Sequence, residues 1–459
     1  MLAAVGLYFT LRLGFTQFRR MGHAIAIGRG KYDEPDAPGE VTHFQALCAA
    51  LSATVGVGNI GGVATAIWWG GPGAAIWMAL FGLLGMMTKF ASCTLAIKYR
   101  VTDEEGHIIG GPMEFLSRGL GKRFAWLATM FAVCAVIASF GGGNMVQANQ
   151  MATAFTHEFG ASLPSGMTES FALVGDMQTN SIRIILGLVV AVLVGLVIIG
   201  GIKRIGRVAG VLVPVMAVFY VGGALTVIFI HIDEVPKTLG TMFSLAFGGD
   251  LTRKAAGGAV GLTVLQALTW GAKRAVFSNE AGLGSAPIAH AAAKTHEPVR
   301  EGLIAMLGPF IDTVIICMMT ALVLTLTGVW ETFADGSQGA VMTKLAFEQG
   351  LPEGYGWIGR YTVAIGLILF AISTAISWSY YGDRCVTYLF GPKAVMPYRT
   401  VYVLFLFLGA NIDGGIVWKF ADVTNAAMAF WNIIGLLGLS TVVVALYKDY
   451  FSRPQEPLE

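Results

Sequence analysis

Ten stretches of this 459-residue chain are apolar for about the length that crosses a bilayer, and nothing else in the sequence limits the fold as much. They lie at residues 41–69, 74–97, 124–155, 182–201, 206–230, 256–290, 302–328, 357–381, 397–411 and 416–447. Hydrocarbon offers no water to satisfy backbone N–H and C=O groups, so spans of this length are helices. Charged residues make up only 13% of the chain, about half the share usual for soluble domains, and the surplus apolar surface must face lipid. The sequence therefore predicts an all-α polytopic membrane protein with one transmembrane domain over 1–459. Residues 1–15 read as the second half of an eleventh, leading helix, too short to span alone and so partly truncated. They carry no cleavable signal pattern.

Lys and Arg set the orientation. With residue 1 outside, the loops at 16–40, 98–123, 203–207, 294–300 and 384–399 and the C-terminus hold about three Lys or Arg for each one on the outer side. Within the 1–40 leading helix and loop, the 16–40 loop is then cytoplasmic, as is the 448–459 tail, which is the orientation expected in a cell inner membrane. Two outward loops, 156–181 and 231–255, are long, and 331–350 is amphipathic enough for a short surface helix. Cys48, Cys93, Cys134, Cys317 and Cys385 lie in or at the end of apolar runs without paired spacing, which points to free thiols in packed helices.

Two spans depart from the rest. From Leu51 the first reads LSATVGVGNIGGVATAIWW, with Gly56, Gly58, Gly61 and Gly62 close together. From Leu262 the sixth reads LTVLQALTWGAKRAVFSNEAGLGSAPIAHAA, with Lys273, Arg274, Asn279, Glu280, Gly282, Gly284 and Pro287 at mid-length. Glycine costs a helix about 1 kcal/mol and proline about 3. A charge at mid-bilayer costs roughly 2.5–3.5 kcal/mol on insertion scales. Irregular backbone survives at that depth only where protein or a water-filled cavity satisfies it. Interruptions at spans one and six of ten point to a transporter of two repeated halves, 41–230 and 256–447, with its site between them. Freed N–H groups at a half-helix start suit a carboxylate, and freed carbonyls suit an alkali cation.

Each candidate side chain has a structural alternative. Thr54-Val55-Gly56-Val57-Gly58 resembles a potassium-channel filter, but a filter needs four copies around an axis. Asn59 is either a cap or a ligand to ion or substrate. Asn144, Gln147 and Asn149 in SFGGGNMVQANQ either bridge helices, for about 0.6–2 kcal/mol, or touch substrate. Ser373 and Thr374 either bond carbonyls of the preceding turn or complete a cation shell. Trp378, four residues on, is packing or a lid. Asp312 and Lys89 are intramembrane charges in need of partners.

The motifs QALCAALSATVGVGNIGGVATAI, GGPGAAIWMALFGLLGMMTKF, GGPMEFLSRGLG, IASFGGGNMVQANQMA, AVFSNEAGLGSAPIAHAAAKT and ISTAISWSYYGDR, in this order, resemble the alanine or glycine:cation symporter family along nearly the whole chain. The resemblance implies a leucine-transporter-like 5+5 inverted repeat behind one leading helix, and sodium-driven uptake of alanine or glycine. It implies that backbone from Thr54 through Val57 to Gly58, with Asn59, holds the substrate. Gln147, Phe277, Ala375 and Trp378 would line the side-chain pocket. Na+ would lie among the Ser52 and Val55 carbonyls, the Phe370 or Ala371 carbonyl, and the Ser373 and Thr374 hydroxyls. The sequence departs from the family pattern in its short leader and in Ser92, where an acidic residue is expected.

The expected partners are a small neutral amino acid and the lipid bilayer, with the monomer as working unit. No basic run suits nucleic acid, and no GxxxxGK[ST] loop suits a nucleotide. HExxH is absent and no GxSxG sits in a suitable setting, so an embedded enzyme is disfavoured. A proton- or other cation-coupled carrier of the same fold is the alternative that stays open.

Overall fold

Thr42 and Thr263 begin two helices in the same way. Each hydroxyl accepts the backbone N–H of the glutamine three residues on, and the side chains of Gln45 and Gln266 each bond back to the cap residue's N–H. Such a box satisfies two of the N–H groups that every helix start leaves over. The words Thr-His-Phe-Gln-Ala-Leu and Thr-Val-Leu-Gln-Ala-Leu thus open the two spans that later break.

The computed structural model describes residues 1–34, 36–102, 106–174, 177–248, 251–255, 258–334 and 336–455. Among them, eight helices are long and apolar enough to cross a membrane: Gly73–Tyr99, Lys122–Phe159, Ser181–Ile198, Gly201–Ile230, Pro298–Thr327, Gly356–Phe390, Pro392–Asn411 and Gly414–Gly438. His43–Thr54 and Gly58–Gly70 make a ninth span, bent by 54°. The sixth span in chain order consists of Val264–Asn279 and Ala286–His290 with an irregular link. Nine of the ten predicted spans thus have a counterpart long and apolar enough to cross, the first of them broken, and the sixth is present as two shorter helices.

Burial separates inner from outer helices. The apolar windows of Gly73–Tyr99 and Gly356–Phe390 are 78% buried, against 33% for Ser181–Ile198, Gly201–Ile230 and Pro392–Asn411, whose remaining surface is left for lipid. The second span packs against the first half of the sixth, the seventh and the leading helix. The first half of span one packs against the fifth and eighth. The leader Leu2–Arg12 lies so close to span two that a Cβ on Gly6 would stand 2.5 Å from the Leu84 carbonyl oxygen.

Four expectations need correction. Span 256–290 starts at Val264: Leu251–Ala255 and Gly258–Leu262 pair as an antiparallel hairpin, whose apolar strand passes for helix in sequence, and residues 256 and 257 lie outside the described set. Span 416–447 ends at Gly438, and after Leu439 a separate helix runs Ser440–Ser452. The tail from 448 is therefore helical to Ser452, with 456–459 outside the described residues. Lastly, the helix expected on the surface at 331–350 is the buried Gly339–Gln349. Its Gly339 sits where a Cβ would meet the Gly61 carbonyl oxygen at 2.2 Å, and the Thr343 hydroxyl donates to the Ile60 carbonyl. The polar side that looked solvated in sequence instead caps backbone of the first broken span. The five cysteines are free, as expected.

Candidate substrate and cation site

Val55 is extended, with φ −74° and ψ 92°, and it ends the helix His43–Thr54. The chain resumes as a π-helical turn, Gly58–Gly62, before ordinary helix. The sixth span breaks through backbone that glycine alone takes without strain: Gly282 and Gly284 have φ of +87° and +89°. Glu280, at φ +55°, starts that link. A third irregularity, the π-helical turn Gly141–Met145, lies in span three. Turns of this kind are frequent at functional sites.

The three irregular segments meet spans eight and ten around one small cavity. Its walls are Ala53, Thr54, Gly56 and Gly58 of span one, Gly142 and Gln147 of span three, Phe277 and Glu280 of span six, Thr374 and Trp378 of span eight, and Asn425 of span ten. The space is about 10 Å³, roughly room for one water, so the site is closed down on itself. Gln147 joins two walls: its Oε1 accepts the Val57 N–H at 3.3 Å and its Nε2 donates to the Gly142 carbonyl at 2.8 Å. The glycine run explains the seat of Trp378, since a Cβ on Gly143 would stand 2.0 Å from the indole Cγ. Asn425 Oδ1 is buried with no hydrogen-bond partner, an acceptor left over at the cavity wall.

Beside the cavity, oxygens of spans one and eight gather. Thr374 Oγ1 donates to the Ser52 carbonyl at 3.1 Å, and Ser52 Oγ donates to the Ser373 carbonyl at 2.9 Å. Ser373 Oγ donates to the Phe370 carbonyl at 2.9 Å and reaches the Ser52 carbonyl at 3.4 Å. Both roles expected of Ser373 coexist in this geometry: it bonds the preceding turn and also faces span one. Val55 and Ala371 are buried in the same stretches. Such a set of carbonyls and hydroxyls, with no acid among them, is chemistry for a hard monovalent cation.

Asn59, Val57 and Ala375 are not on the cavity wall. Asn59 Oδ1 caps the Gly56 N–H at 2.8 Å, while its amide donates to Asp312 Oδ1 at 2.7 Å and to the Asp312 carbonyl. Val57 meets the site through its N–H alone, and the Ala375 carbonyl accepts the Tyr402 hydroxyl. Asn144 and Asn149 bridge to span nine through the carbonyls of Tyr402, Gly409 and Ile412. Asp312 finds its partners in Asn59, Ser278 and Thr313. Sequence reasoning missed Gly142, Glu280 and Asn425 as wall residues. The signal for Asn425 was an amide inside an apolar span, one of two there with Asn432.

Layers of polar contact lie to either side. At one end Glu301, fully buried, bonds both His43 at the head of span one and His290 at the end of span six. Arg100 adds bonds to the carbonyls of Pro38, Ala291, Ala293 and Thr295. At the other end Lys273 pairs with Asp422 at 2.6 Å, and the Arg274 guanidinium lies 4.5 Å from the Trp418 ring.

The sequence profile of the sodium:alanine symporter family matches residues 1–458. The sodium/alanine symporter AgcS of Methanococcus maripaludis is 43% identical over 457 residues, 98% of this chain and 93% of that protein. The probable sodium/glutamine symporter GlnT of Bacillus subtilis is 36% identical over 452 residues, 98% of this chain and 87% of that one. Among solved structures, MhsT in complex with L-phenylalanine aligns with a TM-score of 0.58 at 14% identity, covering 90% of this chain and 98% of that one. At that identity the likeness speaks for the fold alone, that of the leucine transporters.

Proposed function

We propose, from the premise that the chain belongs to the sodium:alanine symporter family, that it carries alanine or glycine inward with Na+ by alternating access. Membership already makes it a multi-pass, sodium-coupled amino-acid symporter with a transport role. The finer reading rests on one observation: a small space where the two broken spans meet is walled by Trp378, Phe277 and glycine backbone. In this closed form the space admits no amino acid, so the reading draws on the wall rather than the volume: two large rings, Trp378 and Phe277, stand opposite glycine backbone and leave little depth for a side chain.

In this reading Na+ lies among the Ser52 and Val55 carbonyls, the Phe370 or Ala371 carbonyl, and the Ser373 and Thr374 hydroxyls. It replaces the direct Thr374–Ser52 contact and fixes span one against span eight. Backbone from Thr54 to Gly58 then receives the substrate carboxylate. One charge falling through 100 mV supplies about 2.3 kcal/mol, roughly a fortyfold gradient before any sodium concentration term. The carrier works as a monomer in the inner membrane, with its C-terminus and the Glu301 layer on the cytoplasmic side. The two halves, 41–230 and 256–447, act as the repeats.

Labelled alanine and glycine uptake into proteoliposomes, with and without an inward sodium gradient, tests it. Gradient-dependent accumulation of either supports the reading, and equal uptake in both conditions removes sodium coupling. A proton-coupled reading draws on two buried carboxyl groups beside the breaks, Glu280 and Asp312. Replacing the sodium gradient by a pH gradient separates the two.

A further inference from the structure

We propose that Glu280 determines specificity: its carboxylate holds the Trp378 indole as an end wall of the cavity and so sets the longest side chain the site admits. The inference rests on the amino-acid reading above. Trp378 Nε1 donates to Glu280 Oε1 at 2.7 Å, and Ser285 Oγ donates to Oε2 at 2.6 Å. With an oxygen held from each side, the carboxyl group has one orientation. The opposite side of the indole rests on Gly143, where no Cβ fits. Trp378 is therefore fixed by one polar bond at its edge and by backbone at its ring.

The backbone at Glu280 strengthens the argument. A non-glycine residue at φ +55° carries strain of about 1–2 kcal/mol, and glycine or asparagine would relieve it. Strain kept at a cavity wall points to use of the side chain. Here its measurable task is to bring the broken sixth span onto the tryptophan of span eight. Without it the indole N–H loses the one side-chain acceptor that holds it, the ring can turn, and the wall retreats.

The test is competition against labelled alanine uptake, in proteoliposomes with a sodium gradient, by glycine, alanine, leucine and glutamine. Trp378→Phe keeps a ring but has no N–H. Glu280→Asp keeps the charge but is one methylene short. In both, leucine or glutamine should compete at least tenfold better relative to alanine than in the parent protein. Glu280→Gln still offers an oxygen to Nε1 and should keep the parent's size ranking, whatever its rate. A Trp378→Phe protein with the parent's ranking overturns the proposal, and so does a Glu280→Gln protein as permissive as Glu280→Asp. If Glu280→Asp is not monodisperse in detergent, Trp378→Phe alone decides. Absence of sodium-driven uptake in the parent protein strikes the transport reading instead, whereas an unchanged size ranking with uptake intact strikes only this inference.

Discussion

Asn59 donates its side-chain amide to Asp312 Oδ1 at 2.7 Å, and by that bond the break in span one is tied to span seven. The same carboxylate accepts from Ser278 of span six and from Thr313, each at 2.8 Å. One buried acid thus holds both broken spans. Asn59→Ala strands the Gly56 N–H and removes a donor from Asp312. Each buried polar group left unpaired costs about 1–3 kcal/mol, more where charged. The variant should lose at least nine-tenths of alanine uptake and melt earlier in a detergent thermal scan. Parental uptake and melting together would show that this bond is idle.

The oxygen cluster of Ser52, Ser373 and Thr374 makes a different kind of prediction. Thr374→Ala removes one candidate ligand and leaves the Ser52 carbonyl its contact with Ser373. Fold stability should barely change, while the sodium concentration for half-maximal uptake rises about tenfold. Thr374→Ser, which keeps the hydroxyl, should restore it. A sodium activation curve unchanged in Thr374→Ala would move the cation elsewhere.

Gly339 tests the buried outer helix. A Cβ there would meet the Gly61 carbonyl oxygen at 2.2 Å, and backbone cannot swing aside as a side chain can. Overpacking of this sort costs about 1–3 kcal/mol. Gly339→Ala should either lower the melting temperature or push the helix off span one, and in both cases uptake falls severalfold. Gly328→Ala tests strain without crowding: that glycine has φ +67° and open space around it, so uptake should hold while stability drops slightly. Equal uptake defects in the two would mean that contact with Gly61 is not the cause.

The sequence carried the spans and the position of both breaks because hydropathy and glycine clustering are local signals. It also carried Gln147, Phe277, Thr374 and Trp378, which do converge on one cavity. The direction of a side chain is not local. Asn59 reads as a ligand because it follows the glycine run, yet the π-helical turn at Gly58–Gly62 coincides with its amide facing Asp312, some 250 residues on. Residues 331–350 read as a surface helix because amphipathicity cannot tell water from a polar backbone, and the backbone at Ile60 and Gly61 acts as the second. The matching Thr-x-x-Gln-Ala-Leu words at 42 and 263 were visible in sequence, and their meaning came only with the two capping boxes.

The layer at Glu301 yields the last prediction. Its carboxylate bonds His43 of span one and His290 of span six, so the ends of both broken spans are pinned to span seven at one point. All three residues are nearly inaccessible, and removing the shared acid leaves two imidazoles without their acceptor. Losing one partner of a buried charged contact typically costs about 3–5 kcal/mol. If this layer closes one face of the carrier, Glu301→Ala should open that face more often. Ala53→Cys, on the cavity wall, reports the opening when the five native cysteines are replaced by serine or alanine. A membrane-impermeant thiol reagent should label it faster in the Glu301→Ala background from the side that carries the C-terminus, with no gain from the other side. Equal acceleration from both sides would mean general loosening of the bundle, and no acceleration from either would show that the two histidines and Glu301 do not gate the cavity.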